Sequence, residues 1–198
     1  MSGNEKYFEA LRTYAREHDV PIIYEDGIEL IEKFIKEKNI KTILEIGTAI
    51  GYSSSRMASI SKDIRIDTVE IREDYAAIAV KNINAANLSE QITVSNQDGL
   101  LFETSRSYDM IFIDAAKSQY IRFFEKFKEK LNENGYIVTD NLDFHGYVKQ
   151  KERIQSKNLR QLVGKIRRYI AFLEDNTDFE TEFYDIGDGI AISKKVEK

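Results

Sequence analysis

Ahead of Asn39 the apolar residues recur at helical spacing, most clearly at Ile28, Ile31, Phe34 and Ile35. That pattern predicts two amphipathic helices, around Tyr7–Glu17 and Asp26–Lys38, separated by Pro21. Beyond Asn39 it changes to short runs rich in β-branched and aromatic residues: Thr42–Ile46, Ile64–Ile71, Ile92–Ser95, Tyr108–Ile113 and Tyr136–Thr139. Each run is followed by a helical stretch, so strands alternate with helices. Alternation of this kind gives right-handed crossovers and a mostly parallel sheet covered on both faces, the doubly wound α/β class. Phe179–Tyr184 and Ile190–Ser193 flank the glycine-containing connection Asp185–Gly189, which reads as a hairpin ending in an antiparallel strand. With no repeat, low-complexity tract or linker, the expectation is one domain over 1–198, with helices in 1–39 and the core in 40–198.

Composition supports a folded chain and removes several chemistries. The 198 residues are 42% hydrophobic and 32% charged, with one Pro and ten Gly, which is a globular balance for one domain. The absence of Cys excludes disulfide scaffolds, thiolate zinc sites, iron–sulfur clusters and cysteine nucleophiles. The two histidines, His18 and His145, are far apart in the chain, which weakens any imidazole metal site. No apolar run approaches the roughly 18 residues of a membrane span, and the start of the chain, with Glu5 and Glu9, has no signal-peptide core. A cytoplasmic protein without membrane contact is expected. The net charge of −5 hides an uneven distribution: Lys149, Lys151, Arg153, Lys157, Arg160, Lys165, Arg167 and Arg168 against Glu152 make that stretch +7 and leave −12 elsewhere. Such a run is either a solvated helix face or a surface for phosphates.

The first predicted strand ends in Glu45-Ile46-Gly47-Thr48-Ala49-Ile50-Gly51, and a helix begins at Tyr52-Ser53. Gly47 can take positive φ and Gly51 allows backbone and helix to approach, as a nucleotide-type ligand requires at the carboxyl end of a first strand. A dinucleotide fingerprint wants a third glycine where Ala49 stands, which counts against NAD. Glu70 ends the second strand, where a carboxylate can accept both ribose hydroxyls of an adenosine, and Asp98-Gly99 follows the third strand on the same rim. An acidic rim of Glu45, Glu70 and Asp98 suits a cationic, phosphate-free ligand. S-adenosylmethionine answers that description.

Strand four delivers Asp114 at its end, followed by Ala115-Ala116-Lys117, and strand five delivers Asp140-Asn141. Two carboxylates and an amide with no sulfur or imidazole form a hard-oxygen set for Mg²⁺, Mn²⁺ or Ca²⁺. An ammonium at Lys117, beside a divalent ion and a sulfonium, is electrostatically penalised, so its pKa falls and it becomes a candidate general base.

Glycine turn, Glu70, Asp114 with Lys117, and Asp140-Asn141, in that order, resemble the cation-dependent O-methyltransferases, which include the catechol and caffeoyl-CoA enzymes and bacterial tRNA 5-hydroxyuridine methyltransferases. The resemblance runs from about Tyr14 to the final strand. It implies a Rossmann-like, seven-stranded class I methyltransferase fold and a homodimer. It implies cofactor contacts at Glu45, Gly47, Glu70 and Asp98, metal ligands at Asp114, Asp140 and Asn141, and a catalytic lysine at Lys117. Neighbouring Gly51, Ser53, Gly99 and Asp114 join the expected cofactor set, and Asp114 stands with Lys117 as a candidate catalytic residue. Where the catechol enzymes have His-Trp before the lysine, this chain has Ala115-Ala116, and it has no Trp. The Asp-Ala-x-Lys-x-x-Tyr pattern through Tyr120 is more similar to the caffeoyl-CoA and bacterial branches. A chelating pair of neighbouring oxygens is then the expected acceptor, met by a catechol or by 5-hydroxyuridine. The basic stretch moves tRNA, read at the wobble base of the anticodon loop, ahead of a small phenol, with Phe144 and Tyr147 as stacking candidates.

Overall fold

The computed structural model describes residues 3–149 and 154–196. Two helices, α1 (Gly3–Glu17) and α2 (Glu25–Glu37), precede β1 (Thr42–Ile46), α3 (Tyr52–Ala58), β2 (Arg65–Glu70), α4 (Glu73–Ala85) and β3 (Ile92–Asn96). Then come β4 (Tyr108–Ile113), α5 (Tyr120–Phe127), β5 (Leu131–Thr139), α6 (Lys157–Glu174), β6 (Phe179–Tyr184) and β7 (Ile190–Lys195). The seven strands form one sheet in the order β3-β2-β1-β4-β5-β7-β6. Strands β1 to β5 are parallel, whereas β7 runs antiparallel to both β5 and β6, as the hairpin pattern predicts.

Alternation along the strands separates two cores. Ile43, Met110, Phe112 and Val138 pack on one face with α1 to α4, through Leu11, Ile28, Ile31, Met57, Ala79 and Ile83. Leu44, Ile46, Ile111, Ile113 and Ile137 pack on the other with α5 and α6, through Tyr120, Phe124, Phe127, Ile166 and Tyr169. Each fully buried Ile or Leu contributes about 1.5–3 kcal/mol. On the first face Arg56 of α3, only 8% exposed, donates to Glu32 (2.6 Å) and Glu25 (2.6 Å) of α2, and Arg12 of α1 donates to Glu25 (2.8 Å). A buried guanidinium needs such partners, and these tie the N-terminal helices to α3.

β5 starts five residues earlier than its apolar run. Leu131 pairs with Tyr108, and pairing resumes only at Tyr136 with Met110. The polar excursion Asn132–Gly135, with Asn134 at φ 59°, interrupts the ladder and masks the strand's beginning in the sequence.

Candidate active site

The sheet's direction of winding reverses between β1 and β4, and a ligand crevice belongs at the carboxyl ends of those strands. Hydrogen bonding runs one residue past each strand there. Gly47 N–H donates to Val69 O (2.9 Å), Asp114 N–H to Ile46 O (2.9 Å) and Asp140 N–H to Ile113 O (3.2 Å). The register that builds the sheet therefore sets Gly47, Asp114 and Asp140 side by side. Only glycine fits position 47: its φ is +106°, and a Cβ would lie 1.8 Å from the Asp114 carbonyl oxygen.

Behind this rim lies a cavity of about 370 Å³. Glu70, Ile71, Tyr75, Asp98 and Gly99 line it from the side of β2 and β3, and Asp114, Ala115, Ala116, Lys117 and Asn141 from the side of β4 and β5. Pro21 and Ile22, in the connection between α1 and α2, also border it. Glu70 braces the glycine turn: Oε2 accepts the Ala49 N–H (2.8 Å) and Oε1 the Arg72 N–H (2.9 Å). Each oxygen keeps a lone pair for a further donor. Asp98 Oδ1 accepts the Leu100 N–H (2.8 Å), and Gly99 leaves room for Phe123, 3.1 Å from where its Cβ would stand.

Three expected cofactor residues lie off the cavity wall. Glu45 is fully buried beneath the glycine turn, because it projects from β1 opposite Leu44 and Ile46, under α3. Its carboxyl accepts from Ser53 Oγ (2.5 Å) and Thr68 Oγ1 (2.5 Å), so Ser53 too is engaged below the floor. Gly51 caps α3 at φ +80°, where a Cβ would press on Ala79 at 3.3 Å. The acidic rim is thus Glu70 with Asp98, and Glu45 with Ser53 forms the support under it.

Burial pushes the Glu45 carboxyl up to about 7 from 4.5, against the lowering effect of its two hydroxyl donors. The folded chain holds this proton more tightly than the unfolded one, so the resulting stability is present below about pH 4.5 and is lost as pH rises through about 7. Glu45→Gln is therefore expected to raise the Tm of the ligand-free protein at about pH 8 and to change it little at about pH 5. Differential scanning fluorimetry at the two pH values checks this, and equal effects at both would contradict a raised carboxyl.

On the side of β4 and β5 the oxygen cluster comes together. Asp140 is 1% exposed and its Oδ1 is buried without a hydrogen-bond partner, an arrangement that is costly unless something else occupies that oxygen. Burial raises the Asp140 carboxyl well above the ordinary range, and the Asp114 charge pushes it further. Desolvation takes Asp114 up to about 6, with Lys117 acting in the opposite sense. The Lys117 ammonium donates to Asn141 Oδ1 (2.9 Å) and lies 5.1 Å from the centre of the Phe144 ring. Burial lowers the Lys117 pKa despite the nearby carboxylates of Asp114 and Asp140. Tyr120, fully buried, donates its hydroxyl to the Asp140 carbonyl (3.0 Å) and fixes the backbone there. Among the described residues no three carboxylate or imidazole groups converge as a metal cluster. The donor set is two carboxylates and an amide, and the orphaned Asp140 oxygen fits a hard divalent cation.

The basic stretch is less uniform than its sequence. Lys149 pairs with Asp185, Arg167 donates to the Val148 carbonyl (2.9 Å) and Arg160 to those of Ile154 and Gln155 (2.7 and 2.8 Å). Lys157, Lys165 and Arg168 are exposed on α6, while Lys151 and Arg153 lie outside the described residues.

A family model described as O-methyltransferase matches residues 2–196. The chain belongs to the O-methyltransferase family. A Staphylococcus aureus structure assigned provisionally as a caffeoyl-CoA O-methyltransferase is 40% identical to this O-methyltransferase, with a TM-score of 0.92 over 96% of this chain and 92% of that one. A catechol O-methyltransferase of Niastella koreensis is 32% identical over 157 residues, 76% of this chain and 67% of the relative. The O-methyltransferase from Bacillus cereus, solved in complex with SAH, shares the fold at a TM-score of 0.82 and 23% identity, covering 96% of this chain and 91% of that one.

Sequence reasoning missed Asp188, a buried carboxylate whose charge acts on Asp114, Asp140 and Lys117. It also missed Tyr24, whose hydroxyl meets His145 Nδ1 at 3.2 Å. The glycines flanking Asp188 marked a tight connection and carried no sign of what it would touch.

Proposed function

We propose that this O-methyltransferase takes S-adenosylmethionine in the 370 Å³ cavity and moves its methyl group to one of two neighbouring oxygens on a planar ring. The observation that carries the reading is the orphaned, buried Asp140 oxygen next to Asn141, which with Asp114 lines the same cavity as Glu70 and Asp98. The Glu70 carboxylate offers acceptors for ribose hydroxyls, and Asp98 borders the same side. Asp114, Asp140 and Asn141 would hold Mg²⁺ or a similar cation. When bound, that cation acidifies a chelated hydroxyl and fixes its direction toward the methyl group. Lys117, its pKa lowered by burial, takes the proton of the acceptor hydroxyl. The carbon–sulfur bond of the sulfonium breaks as the carbon–oxygen bond forms, leaving S-adenosylhomocysteine and a methyl ether.

The relatives named for caffeoyl-CoA and catechol favour a small phenol with vicinal oxygens as acceptor. Ala115 and Ala116 leave the wall beside Lys117 open where a bulkier pair would narrow it. A second reading, favoured by exposed Lys157, Lys165 and Arg168 on α6, is 5-hydroxyuridine in a tRNA anticodon loop, giving 5-methoxyuridine. The test is parallel incubation with S-adenosylmethionine, Mg²⁺ and either a catechol or tRNA lacking the modification, read by mass spectrometry of the products. Methylation that survives EDTA would reject the cation. The double variant Lys165→Glu/Arg168→Glu is expected to leave methylation of a catechol unchanged and to abolish that of tRNA. These positions suit the test better than Arg167, whose guanidinium holds the Val148 carbonyl.

A further inference from the structure

The segment that leaves β5 turns through four left-handed residues: Asn141 (φ 62°), Phe144 (φ 47°), His145 (φ 57°) and Gly146 (φ 82°). Three of them carry a Cβ, and such backbone persists only where its surroundings hold it. The β6–β7 connection does the holding. Gly189 O accepts the Leu142 N–H (2.9 Å), Asp188 O accepts the Asp143 N–H (2.7 Å), and Asp188 Oδ1 accepts the His145 N–H (2.5 Å). Gly189 permits this approach, since a Cβ there would lie 2.6 Å from Asp143 N. The connection is itself anchored to the start of α2, where Asp26 Oδ2 accepts the Gly187 N–H (3.1 Å).

Asp188 gives this clamp a side-chain oxygen as well as a backbone carbonyl. It is 4% exposed, and no step of the proposed reaction uses it. Its bond falls on the turn that carries Phe144, whose ring packs beside the Lys117 ammonium, and the same segment starts at Asn141, which accepts from that ammonium. We infer that Asp188 is a positioning residue: by accepting the His145 N–H it holds the left-handed turn and so sets Asn141 and Phe144 against Lys117 on the acceptor side of the site. The inference rests on the cation reading given above, because Asn141 is one of the groups it places.

The test compares Asp188→Asn and Asp188→Ala with the unsubstituted protein. Mn²⁺ affinity is measured by electron paramagnetic resonance without substrate, S-adenosylhomocysteine affinity by calorimetry, and folding by circular dichroism and Tm. Asp188→Ala is expected to weaken Mn²⁺ binding about 10-fold or more, the usual consequence of losing a group that orients a ligand, with S-adenosylhomocysteine affinity unchanged. Asp188→Asn keeps an acceptor oxygen in place and is expected to retain most of the Mn²⁺ affinity. If Asp188→Ala does not fold, Asp188→Ser, too short to reach the His145 N–H, is read in its place. Unchanged Mn²⁺ affinity in the alanine or serine variant would overturn the inference. So would a loss in Asp188→Asn as deep as in Asp188→Ala, or an equal loss of S-adenosylhomocysteine affinity. Failure of the unsubstituted protein to bind Mn²⁺ would instead overturn the cation reading itself.

Discussion

Asp140→Ala is expected to lower methyl transfer at least about 100-fold and to abolish the gain in Tm that Mg²⁺ or Mn²⁺ gives the unsubstituted protein. Two carboxylates and an amide form a small donor set for a hard cation, and removing one carboxylate leaves one charge and one dipole. The effect on the cation-free protein has the opposite sign. Asp140 is buried with an unpartnered oxygen, and Asp114 stands close enough to push its carboxyl upward. Both groups have raised pKa values, Asp114 to about 6, so their contribution to stability is present below the ordinary Asp value of 3.8 and is lost as pH rises through the folded-state values. At about pH 7.5 in EDTA, Asp140→Ala should therefore melt no lower than the unsubstituted protein, apart from the small cavity it leaves. S-adenosylhomocysteine affinity should largely survive, because Glu70 ends β2 and Asp98 follows β3, with β1 and β4 between them and β5. Fluorimetric melting with and without Mn²⁺ and a turnover assay measure all three quantities. A variant that still gains Tm from Mn²⁺ would show that the cation is held elsewhere.

Much of this was legible in the sequence because the signals were local. β1, β4 and β6 have the expected limits, since each is bounded by polar or glycine residues. Gly47, Glu70, Asp98, Asp114, Lys117, Asp140 and Asn141 each follow or end a strand, and a parallel sheet gathers its strand ends on one rim. Glu45 went astray because proximity in sequence to Gly47 does not state which face of β1 a side chain takes. Its neighbours Leu44 and Ile46 are apolar, and both faces of a central parallel strand are buried, so alternation marks neither as open. Asp188 and Tyr24 were invisible for a different reason. They reach His145 across 43 and 121 residues, through packing of a hairpin connection and a helix start that no periodicity records. The basic stretch mixes roles that its letters do not separate, since Arg160 and Arg167 donate to backbone carbonyls while they stay exposed.

Among the described glycines, Gly47→Ala is expected to be the most damaging substitution. An added Cβ would sit 1.8 Å from the Asp114 carbonyl oxygen, which belongs to backbone and cannot swing aside as a side chain would. The φ of +106° adds a conformational penalty for any L residue of about 1–2 kcal/mol, and relieving an overlap in a packed interior typically costs about 1–3 kcal/mol more. That sum is a large share of the roughly 5–15 kcal/mol that holds a domain folded. Relief requires the end of β1 to part from the end of β4, where Asp114 N–H donates to Ile46 O at 2.9 Å. Any such movement displaces Asp114 relative to Asp140 and tilts the turn away from Glu70, which holds the Ala49 N–H. One methyl group thus attacks both sides of the cavity, because the glycine turn and the first acidic donor are in contact through their backbones. The expected result is a fall in Tm together with loss of both S-adenosylhomocysteine binding and the Mn²⁺ response, read by fluorimetry and calorimetry. Gly146→Ala is the control: its φ is also positive at +82°, but a Cβ there meets nothing within 4 Å, so only the conformational penalty applies. If the two variants melt alike, strain alone explains the effect, and the close approach of Gly47 to Asp114 does not hold the site together.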